Sequence, residues 1–178
     1  MTGARIAPYA RMLLAALRGE QAELAVLLAA AISTAEAEGA GIAATVAHWT
    51  AGLSHNGLGR YDEAFAAARQ AAEHRQPYLS PWALPELIEA AARTGHTQAA
   101  AGALADLAAT TQAGGTDYGL GIEARSRALV SDGSIAEECY REAGDRLGRT
   151  RLRPDTARAH LLYGEWLRRQ RRHSPYSR

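Results

Sequence analysis

Lysine is absent from this 178-residue chain, and all 20 of its basic residues other than histidine are arginine. Without lysine the chain has no P-loop, because that phosphate-binding motif requires one. The single cysteine, Cys139, excludes an internal disulfide, and one thiolate cannot supply a local cysteine-based zinc quartet. A lone helical thiol suits a reducing compartment, and we therefore expect a cytoplasmic protein.

Long hydrophobic runs are also missing. The segment LAVLLAAAI at 24–32 and the apolar stretch before Arg18 both fall short of the roughly 18 residues that a membrane-spanning helix requires. The N-terminal stretch lacks the small-residue cleavage site of a signal peptide. The formal net charge is only +1, so no overall field recruits nucleic acid. The sequence thus predicts no membrane partner.

The motifs of common catalytic chemistry are absent as well. The chain has no GxSxG nucleophile elbow and no HExxH pair. Gly119 and Gly121 in GTDYGLGIEA weakly resemble a nucleotide-binding loop, but no third glycine and no preceding strand complete it. His48 and His55 lie seven residues apart, and we interpret them as structural side chains on one helix face. We expect no enzyme activity, no cofactor and no metal site.

Two arginine-rich stretches, RLGRTRLR at 146–153 and RRQRR at 168–172, are the strongest basic features. The first is typical of a helix end, where cations interact favourably with the helix dipole. Neither stretch lies in a recognisable helix-turn-helix, and neither is interleaved with aromatic residues. We therefore expect no direct DNA binding by this chain.

What the chain does contain is alanine at helical spacing. In GLGRYDEAFAAARQAAEH, residues 57–74, a glycine and Tyr61 precede alanines 64, 68 and 71. This order is typical of a tetratricopeptide-like helix hairpin, in which Gly59 ends the first helix in a left-handed conformation. Small alanine side chains then allow the second helix to lie close against the first.

The same pattern occurs four times, with turns at Gly19, Gly59, Gly95 and Gly133. The intervals of 40, 36 and 38 residues exceed the roughly 34 of the strict tetratricopeptide. We predict an all-α fold, a right-handed superhelical array of antiparallel helix hairpins with about nine helices. The helical-repeat domain would cover residues 1–172, followed by a disordered tail at 173–178. The predicted helices cover 7–18, 21–38, 41–57, 61–74, 82–94, 97–112, 117–131, 134–147 and 154–171.

Two helix starts are open to alternatives. Ser80 is a candidate N-cap with Pro81 at the first helical position, but Pro85 marks a second candidate start or follows a short turn. Asp117 is a candidate cap at the start of the helix that follows AGG.

Four stretches together resemble one known family: TVAHWTAGLSHNGLGRYDEAFAAARQAAEH, LSPWALPELIEAAARTG, GTDYGLGIEARSRALVSDG and RLRPDTARAHLLYGEWLRRQRR. They resemble the helical-repeat region of the large ATP-binding LuxR-type, or MalT-like, transcriptional regulators of actinobacteria. The resemblance covers about residues 10–172. Family members carry an NTPase, a winged helix, the helical repeats and a C-terminal helix-turn-helix, and the repeats are taken to receive an inducer or a regulatory partner.

The resemblance implies a truncated, non-enzymatic sensor and protein-interaction segment that lacks the NTPase and the helix-turn-helix. After GEWLRRQRR the family would continue into another helix, whereas this chain reads HSPYSR and stops. The alternative is a free-standing scaffold or adaptor that binds a protein or a peptide.

In tetratricopeptide-like stacks the first helix of each hairpin lines a concave groove, where a protein or a small effector would bind. The side chains predicted to line this groove are Trp49, Asn56, Trp82, Glu89, Arg93, Glu123 and Arg127. The alternative for both tryptophans is a core position between hairpins.

The last predicted helix has no following partner helix in the sequence, so part of its apolar surface should remain wet. The residues predicted to form this exposed self-association face are Leu161, Leu162, Trp166 and Leu167. A homodimer through the C-terminal hairpin is the expected consequence.

Overall fold

A computed structural model describes residues 8–73 and 80–173, and every regular element in these ranges is an α-helix. The nine helices found there are α1 (Tyr9–Arg18), α2 (Gln21–Glu38), α3 (Gly41–Gly57), α4 (Tyr61–Glu73), α5 (Ser80–Thr94), α6 (Thr97–Gly114), α7 (Asp117–Leu129), α8 (Gly133–Gly148) and α9 (Arg153–His173). The all-α prediction is confirmed, and the predicted helix ends lie within two residues of the observed ones. Residues 7 and 74, at two predicted ends, and 174–178 of the predicted tail lie outside the described residues.

One turn geometry recurs between consecutive helices. Gly19, Gly59 and Gly95 have φ values of 73°, 72° and 78°, in the left-handed region that glycine adopts at low cost. The residue after each glycine donates its backbone N–H to the carbonyl five residues earlier, at 2.9 Å in all three turns. This bond satisfies a carbonyl at the end of the preceding helix. The turn predictions at these three glycines therefore correspond to a specific hydrogen-bonded geometry.

At Gly39 and Gly133 the structure differs from the predicted set of turn glycines. Gly39, which was not among the predicted turn glycines, forms the same turn between α2 and α3, with the Ala40 N–H bonded to the Ala35 carbonyl at 2.9 Å. Gly133 has a φ of 56° but is the first residue of α8 rather than the cap that ends α7.

The chain divides into two compact units, Met1–Asp106 and Leu107–Arg178, and the division falls inside α6. In the first unit each helix from α1 to α5 packs against the next one. In addition, α1 packs against α3, and α3 packs against α5. In the second unit α7 packs against α8, and α8 packs against α9.

The contact between α3 and α4 is built from very small side chains. Ala64, Ala68 and Ala71 on α4 are completely buried. A Cβ atom placed on Gly52 of α3 would lie 3.2 Å from the Cβ of Ala68, closer than most such contacts in proteins. The predicted alanine contact positions are thus buried, and they permit a close approach of the two helices.

The core of the second unit is aromatic. Tyr140 of α8 packs against two side chains of α9, with its ring centroid 5.4 Å from that of Tyr163 and 6.1 Å from that of Trp166. Leu162 is buried in the same cluster. Another close contact joins α7 to α8, where a Cβ on Gly121 would lie only 2.8 Å from Cγ of Leu147.

This aromatic cluster corrects the predicted self-association face. Leu162 and Trp166 are buried, because α9 packs them against α8 instead of leaving them for a following helix. Leu161 and Leu167 are exposed as expected. They are separated by six residues and therefore lie about 120° apart around the helix axis, so they do not form one continuous patch. The predicted homodimer stays a prediction.

Two helix starts can be compared with the sequence-based alternatives. Within the described residues α5 extends from Ser80, so the start at Ser80 and Pro81 is favoured, and Pro85 lies inside the helix rather than at its start. Helix α7 is capped by Thr116 and not by Asp117, since the Thr116 Oγ1 atom accepts a hydrogen bond of 3.1 Å from the Gly119 N–H. Among the helices of the described ranges, none combines the length and the apolar character needed to cross a bilayer.

Candidate functional site

The structure distributes the seven predicted groove residues between its two units. Five of them lie on α3 and α5 of the first unit: Trp49, Asn56, Trp82, Glu89 and Arg93. The other two, Glu123 and Arg127, lie on α7 of the second unit. We therefore describe the two groups as separate sites.

Two tryptophans from different helices meet in the first unit. Trp49 of α3 and Trp82 in the first turn of α5 have ring centroids 5.3 Å apart and planes inclined at 51°. Trp49 is half-buried against the core formed by α1, α2 and α3. Trp82 is 49% exposed, which makes it the more accessible member of the pair. The aromatic pair is thus anchored at one ring and open to solvent at the other, so Trp82 does not occupy the core position of the alternative interpretation.

A polar contact between the same two helices lies beside the aromatic pair. Asn56 of α3 donates from its side-chain nitrogen to the main-chain oxygen of Glu86 and to the Glu86 carboxylate, at 2.9 Å each. Both residues are buried. Glu86 lies one helical turn beyond Trp82, and Asn56 lies two turns beyond Trp49, so both contacts are on the facing sides of α3 and α5.

Helix α5 is buried over most of its length. Residues 83–91 are all buried, including the carboxylate-bearing Glu86 and Glu89. The sequence placed Asn56 and Glu89 in an open groove, whereas the structure buries both, because α5 packs against α3 and α4 together. Arg93 is half-buried, with its guanidinium carbon 5.3 Å above the Tyr61 ring of α4.

The predicted residues of the second unit belong to a hydrogen-bond network centred on the buried Glu123. Glu123 accepts from the Thr111 hydroxyl at 2.7 Å, from the Gln112 amide at 3.2 Å and from Arg127 at 3.3 Å. Arg127 also lies 3.7 Å from Glu142 of α8. Glu123 is buried rather than exposed to a groove, because residues from the end of α6 cover it. Its three donors satisfy the carboxylate, as a buried charge requires.

Sequence reasoning also missed an ion pair in which the arginine is buried. Arg125 of α7 is almost completely buried, and its guanidinium lies 3.7 Å from the carboxylate of Asp155 on α9. Burial raises the pKa of the Asp155 carboxyl above its usual 3.8, and the nearby Arg125 charge only partly offsets that effect. The available signal was weak, because Arg125 stands in GIEARSRAL with two other charged residues, Glu123 and Arg127.

His48 and His55, which lie seven residues apart on α3, have different surroundings. His48 lines a depression of about 700 Å³ between α2, α3 and α4, together with Glu36, Gln70 and Glu73. His55 lies near the end of α3, where burial lowers the pKa of its imidazole below 6.5 and Arg60 lowers it further against the opposing effect of Glu63. Across residues 8–73 and 80–173, no three His, Cys, Asp or Glu side chains are grouped to hold a metal ion.

Comparison with known proteins returns no match to a protein-family model, to a curated protein or to a solved structure. Among the seven predicted groove residues, Trp82 is the most exposed to solvent, and its ring lies against that of Trp49.

Proposed function

We propose that this chain is a non-enzymatic helical-repeat segment that binds a protein or a peptide, derived from the sensor region of a LuxR-type transcriptional regulator. The resemblance of residues 10–172 to the helical repeats of those regulators supports the origin. In that family the repeats receive a signal, so a binding role without chemistry is the corresponding proposal for this chain.

Two structural features support a tetratricopeptide-like array within the first unit. The glycine turn with its 2.9 Å hydrogen bond recurs at Gly19, Gly39, Gly59 and Gly95. Helix α3 packs against both α1 and α5, as successive first helices do when hairpins stack side by side. A right-handed superhelical arrangement of such hairpins is part of the proposal.

The observation that carries the binding proposal is the half-exposed ring of Trp82 beside Trp49. Tryptophan is enriched among the residues that dominate binding energy, because a large rigid ring buries much area at little entropic cost. A ring already held by its neighbour loses even less freedom on binding. The site therefore suits an apolar or aromatic side chain of a peptide segment.

A peptide array tests this proposal. The labelled protein is applied to immobilised peptides of systematically varied composition, and we expect it to retain peptides that present aromatic or branched apolar side chains. For those peptides, Trp82→Ala should weaken binding by about 30-fold, the loss expected of a hot-spot residue. Leu161→Ala is the matched control, because Leu161 is similarly exposed but lies in the second unit.

Two outcomes would overturn the binding proposal. One is an array on which the wild-type protein retains no peptide above background. The other is an equal loss of binding in the Trp82→Ala and Leu161→Ala proteins. A free-standing scaffold would bind peptides in the same way. The flanking DNA sequence distinguishes the two origins, because a neighbouring reading frame that encodes a helix-turn-helix or an NTPase would indicate a regulator.

A further inference from the structure

We infer that Asn56 is the positioning residue of the Trp49–Trp82 pair, because its side-chain amide fixes α5 against α3 one turn beyond Trp82. The inference deepens the proposed function, since it assigns the geometry of that binding site to a buried residue that a ligand at Trp82 would not touch. The orientation of Trp82 relative to Trp49 can be measured without any ligand.

An aromatic contact and a polar contact join the two helices on the same faces. Trp49 and Asn56 are seven residues apart on α3, and Trp82 and Glu86 are four apart on α5, so each pair is aligned along its helix. The polar contact uses both kinds of Glu86 acceptor, with distances of 2.9 Å to the main-chain oxygen and 2.9 Å to the carboxylate. The main-chain bond fixes the α5 backbone itself, not only a side chain.

The polar contact is the more directional of the two. Two indole rings attract one another over a range of distances and tilts, so their contact alone leaves α5 free to slide or rotate slightly. Hydrogen bonds weaken steeply when their angle is poor, so the Asn56 amide tolerates little displacement of Glu86. Pro85 removes one intrahelical hydrogen bond from the start of α5, which increases the dependence of Trp82 on contacts with α3.

The contact between Asn56 and Glu86 affects binding because it orients the Trp82 ring before a ligand arrives. A binding ring contributes fully only if it is already oriented in the free protein, because ordering it on binding subtracts from the affinity. If Asn56 no longer held α5, Trp82 would remain exposed but would lose its fixed tilt against Trp49. Binding would then weaken even though no residue in contact with the ligand had changed.

The test is the exciton couplet that two neighbouring indole rings produce in the far-ultraviolet circular dichroism spectrum. The spectrum of Trp82→Ala defines the signal without the pair. Asn56→Asp places a carboxylate oxygen against the two Glu86 oxygens, so the couplet should be lost while the helical signal remains. Glu86→Gln retains both acceptors for the Asn56 amide, so its couplet should match that of the wild type.

Thr50→Val is the matched control for loss of a buried polar group on α3. Thr50 is fully buried, and its hydroxyl donates to the Val46 carbonyl of its own helix at 2.7 Å, so its removal leaves the contact with α5 in place. We expect a normal couplet in this variant. If Asn56→Asp fails to fold, Asn56→Ala removes the amide without adding a charge and gives the decisive spectrum.

A folded Asn56→Ala or Asn56→Asp protein with an unchanged couplet would overturn the inference, and so would equal loss of the couplet in Thr50→Val. These results do not depend on the peptide array, so the positioning role can stand if no peptide binds. Where a peptide does bind, Asn56→Ala should weaken it and Thr50→Val should not.

Discussion

The guanidinium of Arg125 on α7 lies 3.7 Å from the carboxylate of Asp155 on α9, with the arginine almost wholly buried and the aspartate side chain 30% exposed. Removal of Asp155 would leave the Arg125 charge in a buried position without this carboxylate. We expect Asp155→Ala to lower the free energy of unfolding by about 1 to 3 kcal/mol, less than the roughly 3 to 5 kcal/mol of a fully buried pair because Asp155 is partly solvated. Urea unfolding measures the change.

The raised pKa of Asp155 indicates that burial disfavours this carboxylate more than the Arg125 charge favours it. Replacement of both members by apolar residues, Arg125→Met with Asp155→Leu, should therefore restore most of the stability lost in Asp155→Ala. A double variant no more stable than Asp155→Ala would contradict this account. Glu73→Ala is the exposed control, since its pairing with Arg69 lies at the surface and should be worth at most about 1 kcal/mol.

The close contact at Gly121 predicts a marked effect of a single added methyl group. A Cβ there would lie 2.8 Å from Cγ and 3.0 Å from Cδ2 of Leu147, which is buried and cannot move freely. We expect Gly121→Ala to destabilise the protein by about 1 to 3 kcal/mol through overpacking of α7 against α8. Thermal or urea unfolding would report it.

Gly102 provides the control for that substitution. It lies in α6, is exposed, and a Cβ there would meet no atom within 4 Å. Gly102→Ala should therefore stabilise the protein by about 0.5 to 1 kcal/mol, because alanine loses less backbone entropy in a helix. If both alanine variants changed stability in the same direction, the packing argument at Gly121 would be wrong.

His55 gives a prediction about pH. Its Nδ1 atom is buried and has no hydrogen-bond partner among the described residues, and burial lowers the pKa of the ring below 6.5. A lowered folded pKa means that the contribution of His55 to stability is present above pH 6.5 and is lost as the pH falls through the folded value. His55→Gln should therefore lose less stability than the wild type on acidification, since the other five histidines titrate in both proteins.

Nuclear magnetic resonance titration checks the same point directly. The His55 ring resonances should shift at a lower pH than those of a histidine in an unstructured peptide. A His55 titration midpoint at or above the peptide value would show that Glu63, which raises the pKa, outweighs burial and Arg60.

The cap of α7 provides a fourth test. Thr116→Ala removes the oxygen that accepts from the Gly119 N–H and should cost about 1 kcal/mol, whereas Thr116→Ser retains the oxygen and should cost little. Asp117→Asn tests the sequence-based alternative. The Asp117 carboxylate lies 3.5 Å from Arg146 and 3.6 Å from Arg149, so its loss should remove only weak surface pairing. A larger effect of Asp117→Asn than of Thr116→Ala would reverse the assignment.

The helices could be predicted because their ends carry local signals. Gly19, Gly59 and Gly95 end helices through hydrogen bonds that span only six residues, so the sequence contains the whole interaction. Pro85 shows the limit of such rules. A proline inside a helix removes a hydrogen bond, but the packing of α5 on α3 and α4 outweighs that loss, and local sequence does not encode the packing.

The site could be predicted only in part, since its geometry depends on contacts between distant residues. The spacing of the hairpins brought Trp49 and Trp82 into one proposed groove, and the structure places their rings together. The partner of Asn56 was missed because Glu86 lies 30 residues away and meets it only through the register of α3 against α5. Trp166 was expected to be exposed because the sequence does not show that α9 packs its ring against Tyr140.

The contact between Gly52 and Ala68 has an evolutionary consequence. With a Cβ on Gly52 only 3.2 Å from that of Ala68, the two positions share one small fixed volume. Enlargement at either position is tolerated only when the other shrinks, so related sequences should exchange glycine and alanine here as a pair. Covariation between these two positions would then identify the α3–α4 contact in descendants whose other residues have diverged.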